Sequence, residues 1–184
     1  MLEDDRLSLT GTDLEVEIVG RVQLEKAGES GEITVPARKL FDIVRSLPDS
    51  STIDFIEDGQ KVTIKSGRSR FTLSTLPAAD FPNVEGSEQD LQFTSEQGVI
   101  KRLIDSTAFA MAQQDVRYYL NGMLWEVSQD LLRFVATDGH RLAMCTKDLD
   151  IEIQDLRQAI LPRKGVVELS RLLEDSAQEV TISL

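Results

Sequence analysis

Leu161-Pro162-Arg163-Lys164-Gly165-Val166-Val167-Glu168-Leu169-Ser170-Arg171 repeats a pattern written far upstream as Val35-Pro36-Ala37-Arg38-Lys39-Leu40-Phe41-Asp42-Ile43-Val44-Arg45. Ahead of each copy stands a strand-like run that ends in Thr-Asp. In the first copy it is Leu7-Ser8-Leu9-Thr10-Gly11-Thr12-Asp13, and in the second Leu132-Arg133-Phe134-Val135-Ala136-Thr137-Asp138. Asp138 follows Asp13 by 125 residues and Pro162 follows Pro36 by 126, so the internal spacing of the two copies differs by one residue. Self-similarity at a fixed period means two similar domains in tandem, and it constrains the fold more than any single motif does.

Parts of each copy have no partner in the other. Leu91 to Glu126 has no counterpart before Leu7, and Gln60 to Leu76 has none after Leu184. The expectation is a chain of about one and a half repeat units, a fragment with domains at residues 1–88 and 89–184, the first lacking an N-terminal part and the second a C-terminal part.

With 41% hydrophobic and 28% charged residues, the composition is that of a soluble globular chain able to bury a core. No apolar run approaches a membrane span, and Met1-Leu2-Glu3-Asp4-Asp5 lacks the basic and apolar regions of a signal peptide, so a cytoplasmic location is expected. The single Cys145 has no partner for a disulfide and, beside Leu142-Ala143-Met144, reads as a small buried hydrophobe.

A net charge of −12 argues on its face against a nucleic-acid partner. The distribution tells otherwise. Arg38, Lys39 and Arg45 against Asp42 make one helix +2, and Arg163, Lys164 and Arg171 against Glu168 make the other +2, leaving −16 elsewhere. Two cationic helices in an acidic body suit a protein of which one surface meets a polyanion.

Alternation of Leu7 and Leu9, then Leu14, Val16 and Ile18, predicts strands over Leu7 to Gly20. Pro36 predicts a helix start, with Leu40, Ile43, Val44 and Leu47 on its apolar face and Pro48-Asp49 ending it. Ser51 to Ile56, Lys61 to Ser66 and Arg68 to Leu76 follow as strands, with turns at Asp58-Gly59 and Ser66-Gly67. The proline-rich stretch Leu76 to Asn83 and the polar run Glu85 to Asp90 mark the domain boundary. Beyond it Leu91-Gln92-Phe93 reads as a strand, and Thr94 with Gln97 as a capping box for a helix through Ile100, Leu103, Ile104 and Ala108. Tyr118 to Val127 and Leu131 to Thr146 read as strands around the turn Ser128-Gln129-Asp130. The second cationic helix and a strand from Val180 to Leu184 complete an α+β pattern of antiparallel strands with short helices.

Gln114-Asp115-Val116-Arg117-Tyr118-Tyr119-Leu120-Asn121-Gly122 and Val135-Ala136-Thr137-Asp138-Gly139-His140-Arg141-Leu142-Ala143, with Ser66-Gly67-Arg68-Ser69-Arg70-Phe71 and Phe81-Pro82, closely resemble the bacterial β sliding clamp family, the processivity subunits of DNA polymerase III. The resemblance runs through essentially the whole chain in order. It implies the DNA clamp fold: three similar domains per chain, two chains closed head to tail as a homodimeric ring around duplex DNA, helices lining the hole and sheets outside. The third domain would then be absent here.

The resemblance also implies site residues. Arg38 and Lys164, joined by Arg45 and Arg163, would line the hole with soft, sequence-independent phosphate contacts. Gln114, Tyr118 and Tyr119 would touch DNA near that lining or the ring face. Leu120, Thr137, Gly139, His140, Arg141 and Leu142 would form one wall of a pocket for short peptides of the polymerase alpha subunit, the clamp loader and other clamp-binding-motif proteins. Lys39, Ile43, Arg68, Arg70, Phe71 and Leu73 would form the edge that meets the other subunit.

A ring-incompetent module that binds clamp partners and interferes with them is the alternative from another class. An enzyme ranks third: His140 beside Asp138 suggests chemistry, yet no second histidine and no second cysteine exists to supply a triad or a metal-ligand set, and the pattern calls for no cofactor.

Overall fold

In a computed structural model of the protein, residues 1–82, 91–149, 153 and 155–184 are described, and they divide into two compact units, Met1–Glu85 and Gly86–Leu184. The expected boundary at Glu85 to Asp90 lies outside the described residues.

In the first unit β1 (Leu2–Glu3), β2 (Arg6–Thr12) and β3 (Glu17–Gln23) make one antiparallel sheet, and β4 (Asp54–Asp58), β5 (Lys61–Ser66) and β6 (Ser69–Ser74) another. Between them runs α1 (Ala37–Ser46). Pro36 is its N-cap rather than its first residue, with its carbonyl accepting the Leu40 N–H at 3.0 Å. Gly59 and Gly67, at φ +58 and +55, supply the left-handed residues that close the two tight hairpins. The expected strand at Ser51 starts only at Asp54. Val62, Ile64 and Leu73 form the core, with Leu40 and Ile43 of α1 and Phe71 packed against them.

The second unit has a four-stranded antiparallel sheet in the order β10-β9-β8-β11, from β8 (Gly122–Ser128), β9 (Leu131–Thr137), β10 (Leu142–Asp148) and β11 (Arg157–Pro162). A two-stranded sheet pairs β7 (Gln92–Glu96) with β12 (Glu179–Ser183), and α2 (Gln97–Asp105) and α3 (Arg163–Leu172) complete it. Val99, Ile100, Leu103 and Ile104 of α2 enter the same buried cluster as Met123, Trp125, Leu132, Phe134 and Ala136. At its centre the Trp125 and Phe134 rings stack with centroids 4.0 Å apart.

Four expectations are corrected. Thr94 lies inside β7, and no side chain caps α2. Its first N–H groups donate instead to the carbonyls of Gln178 and Ser176, at 2.8 and 2.9 Å for Gln97 and Gly98. α2 also ends at Asp105, leaving Ala108 to a separate 3-10 turn. Tyr118 to Asn121 form a 3-10 turn, and β8 begins only at Gly122. The expected run Leu131 to Thr146 breaks at residues 138–141 into β9 and β10. β11, which pairs with β8 and leads straight into α3, was not foreseen.

The Thr-Asp repeat turns out to be a turn built the same way in both units. Thr12 Oγ1 donates to the Val16 carbonyl at 3.0 Å and accepts the Leu14 N–H at 3.1 Å, while Asp13 Oδ1 accepts the N–H groups of Glu15 and Val16. Thr137 and Asp138 make the equivalent four bonds with Arg141, Gly139 and His140. At the third position the backbone is left-handed in each, φ +77 at Leu14 and +87 at Gly139.

Candidate functional site

α1 turns Leu40 and Ile43 inward and leaves Arg38, Lys39 and Arg45 exposed, with Phe41 61% and Val44 43% exposed beside them. α3 repeats the arrangement. Val166 is fully buried, Leu169 packs on the core, and Lys164 and Arg171 are exposed. Arg163 differs from its neighbours: it is half-buried and donates to the Met111 carbonyl at 3.3 Å, so its guanidinium is partly engaged within the unit. Arg171 pairs with Glu168 at 2.7 Å.

A second assembly lies on the rim of the second unit. Asp115 and Asn121 bind each other twice: the Asp115 N–H donates to Asn121 Oδ1, and Asn121 Nδ2 donates to the Asp115 carbonyl, both at 2.9 Å. The Asp115 carboxylate also accepts from the Arg117 backbone N–H, Nε and Nη2 at 2.8, 3.0 and 2.9 Å. Those bonds hold its pKa down to about 2, the side-chain bond from Arg117 being the largest cause. The closed loop tucks Leu120 inward and presents Tyr118, 82% exposed, and Tyr119, 51% exposed.

Facing this loop is the β9–β10 turn. Asp138 takes the His140 and Arg141 N–H groups and pairs with Arg141 Nε at 3.0 Å, which together lower its pKa. Arg141 Nη2 donates to the Phe109 carbonyl, and its guanidinium carbon lies 5.5 Å from the centre of the Phe109 ring. The Arg117 guanidinium lies against Gly139, where a Cβ would stand 3.1 Å from Nη2. A cleft of about 350 Å³ opens between the two segments, lined by Phe109, Met111, Gln113, Gln114, Asp115, Asp138, His140 and Arg141. Leu142, 64% exposed, continues the rim onto β10.

Gln114 and His140, drawn from two separate expected groups, thus line one cleft. The Thr137 hydroxyl is used inside its turn. Asp115, Arg117 and Phe109 have no role in the sequence reading, although Asp-x-Arg with Asn six residues after the Asp is the available signal. Among the described residues no group of His, Cys, Asp and Glu stands close enough to hold a metal ion, and no helix is long and apolar enough to cross a membrane. Cys145 is half-buried against the core.

In the first unit Arg68 and Arg70 are exposed, whereas Phe71 and Leu73 turn into the core opposite Ile64 and Val62. β6 is the outer strand of its sheet, so its free side offers backbone groups and arginines more than apolar side chains.

Comparison with known proteins bears on both assemblies. Residues 1–85 match the N-terminal domain, and residues 94–184 the central domain, of the DNA polymerase III beta subunit. The chain is 62% identical over 184 residues to the beta sliding clamp of Pseudomonas aeruginosa, covering all of this chain and 50% of that protein. To the beta sliding clamp of Escherichia coli K12 it is 51% identical over 181 residues, covering 98% of this chain and 49% of that one. The crystal structure of the DNA polymerase III subunit beta from Pseudomonas aeruginosa superposes with a TM-score of 0.97 at 63% identity, over all of this chain and 50% of that chain. A sliding clamp structure from Caulobacter crescentus gives 0.88 at 37% identity, over 99% and 50%. The chain spans about half the length of the relatives it matches.

Proposed function

The chain belongs to the DNA polymerase III beta subunit family, and from that premise we propose that it acts as part of a sliding clamp. Such a clamp is a non-catalytic, cytoplasmic scaffold that encircles duplex DNA without reading its sequence. It tethers the replicative polymerase, the clamp loader and other peptide-bearing partners. Residues 1–88 and 89–184 are its first and second clamp domains in this reading. Arg38, Arg45, Lys164 and Arg163 face phosphates, helped by Gln114, Tyr118 and Tyr119, and the rim around Leu120, Gly139, His140, Arg141 and Leu142 contributes to a peptide pocket. The β6 edge with Lys39 is the surface offered to a second subunit, and Ile43, packed on the core, supports it from beneath.

One observation carries the reading. Two helices opened by proline expose cations at equivalent positions, Arg38 with Arg45 and Lys164 with Arg171, on a chain whose net charge is −12. Phosphates are the ligand that repays such a concentration of cations, and helix side chains outside a groove contact the backbone, not the base edges.

The test is duplex binding by the 184-residue chain at low salt. Arg38→Ala and Lys164→Ala should each weaken it equally on unrelated sequences, and each should reduce the slope of log affinity against log salt by about 0.9. A loss that depends on base sequence would overturn the sliding reading. The ring-incompetent alternative separates from it on circular DNA, when this chain is supplied with the remaining half of a clamp. A closed ring stays on the circle at high salt and leaves when the circle is cut, and an open module does neither.

A further inference from the structure

The two cationic helices share more than their cations. Aligned through Pro36 and Pro162, the core positions agree in kind, Leu40 with Val166 and Ile43 with Leu169. Burial accounts for those. The surface between them drifts freely, with Lys39 against Gly165, Phe41 against Val167 and Val44 against Ser170. Three surface positions do not drift: a base at 38 and 164, an acid at 42 and 168, and Arg at 45 and 171. Spacings of four and then three residues place base, acid and arginine along one stripe of each helix, with the acid in reach of both neighbours.

In α3 the acid is engaged. Glu168 Oε1 accepts from Arg171 Nη1 at 2.7 Å, with the arginine side chain 69% exposed and the carboxylate 35% exposed. An exposed pair of this kind adds little to stability, so holding the helix together is a poor reason for the acid to recur at position 42 in α1. Its effect on a polyanion is larger. A guanidinium already bound to a carboxylate releases little when a phosphate approaches, and the carboxylate repels the phosphate besides.

We propose that Asp42 and Glu168 are attenuating residues, each cancelling part of its helix's charge so that the helices hold duplex DNA loosely enough for it to pass. This rests on the DNA-binding reading above and adds to it a role for the acids. Cations alone would give tighter binding with a steeper salt dependence. A clamp that must move along its substrate gains from the opposite.

The experiment is anisotropy of a labelled duplex of random sequence titrated with the 184-residue chain across a salt series, for wild type, Glu168→Gln, Asp42→Asn and the control Glu179→Gln. The control removes the same charge from β12, outside either helix. Glu168→Gln should tighten binding about fivefold to tenfold near about 0.1 M salt and steepen the salt slope by up to about 0.9, as one freed cation predicts. Asp42→Asn should act in the same direction and Glu179→Gln should match wild type. Glu168→Gln in an Arg171→Ala background should give a much smaller gain, because the cation it would free is gone.

Wild-type binding with an unchanged or weakened Glu168→Gln overturns the inference alone, as does a gain equalled by Glu179→Gln, which would show mere net charge. No binding by any variant at the lowest salt overturns the DNA reading, and the inference with it. Unchanged melting temperatures across the set, expected for exposed pairs, remove a folding explanation.

Discussion

Leu14 and Gly139 occupy the same place in two copies of one turn, and only one of them is suited to it. A left-handed backbone costs a non-glycine residue roughly 1–2 kcal/mol. Leu14, at φ +77 and 75% exposed, gains little burial in return. Leu14→Gly should therefore stabilise the first unit, by about 0.5–1 kcal/mol once the glycine's greater unfolded-state freedom is subtracted, read as a rise in denaturation midpoint. In the second copy glycine suits the left-handed φ, and an added Cβ would also crowd the Arg117 guanidinium at 3.1 Å. The neighbouring Asp115 gives a pH prediction. Its folded pKa of about 2 lies below the ordinary 3.8. The Arg117 latch is thus fully present above the ordinary value and is lost as pH falls through about 2. Carboxyl chemical shifts should titrate there for Asp115, and Arg117→Ala should return its midpoint toward 3.8.

At the scale of elements, what could be read in advance was what is local. α1, α3, β5 and β6 follow from proline at a helix start, glycine at a hairpin and apolar periodicity, all within a few residues. The start of α2 could not be read that way, because its capping carbonyls come from Ser176 and Gln178, some eighty positions along the chain. The 3-10 turn at Tyr118 replaces an expected strand because Asp115 and Asn121 close the loop through side chains that strand periodicity does not see. For the same reason the cations of the candidate site were legible, and the contact of Arg117 with Gly139 was not. β10, an outer strand with Leu142 and Met144 exposed, supports a prediction of its own. Leu142→Ala should weaken a clamp-binding peptide, measured with the remaining half of a clamp present. It should leave duplex binding unchanged, and the reverse pattern would sink the pocket assignment.

Across the whole chain the two units are unequal. Among the described residues the second buries sixteen apolar side chains in one cluster and the first buries three. The repeat shows where the difference lies. Leu132, Phe134 and Ala136 of β9 are covered and share a cluster with α2, whereas Leu9, at the place of Phe134, is 52% exposed, and Ile18 and Val22 on β3 are 42% and 54% exposed. Limited proteolysis should accordingly cut within residues 1–82 before it cuts within the buried strands β8 and β9 or helix α2, since cleavage follows the cost of local opening. Phe134→Ala should destabilise the second unit by about 3–5 kcal/mol, because it removes the ring stacked on Trp125 and leaves a cavity. The single sulfhydryl of the chain offers a clock for the same process. Cys145 sits on the outermost strand of the larger sheet with its side chain against the interior. Half-buried in the folded sheet, the thiol is fully uncovered when β10 peels away, so labelling at that one atom should quicken as the sheet frays.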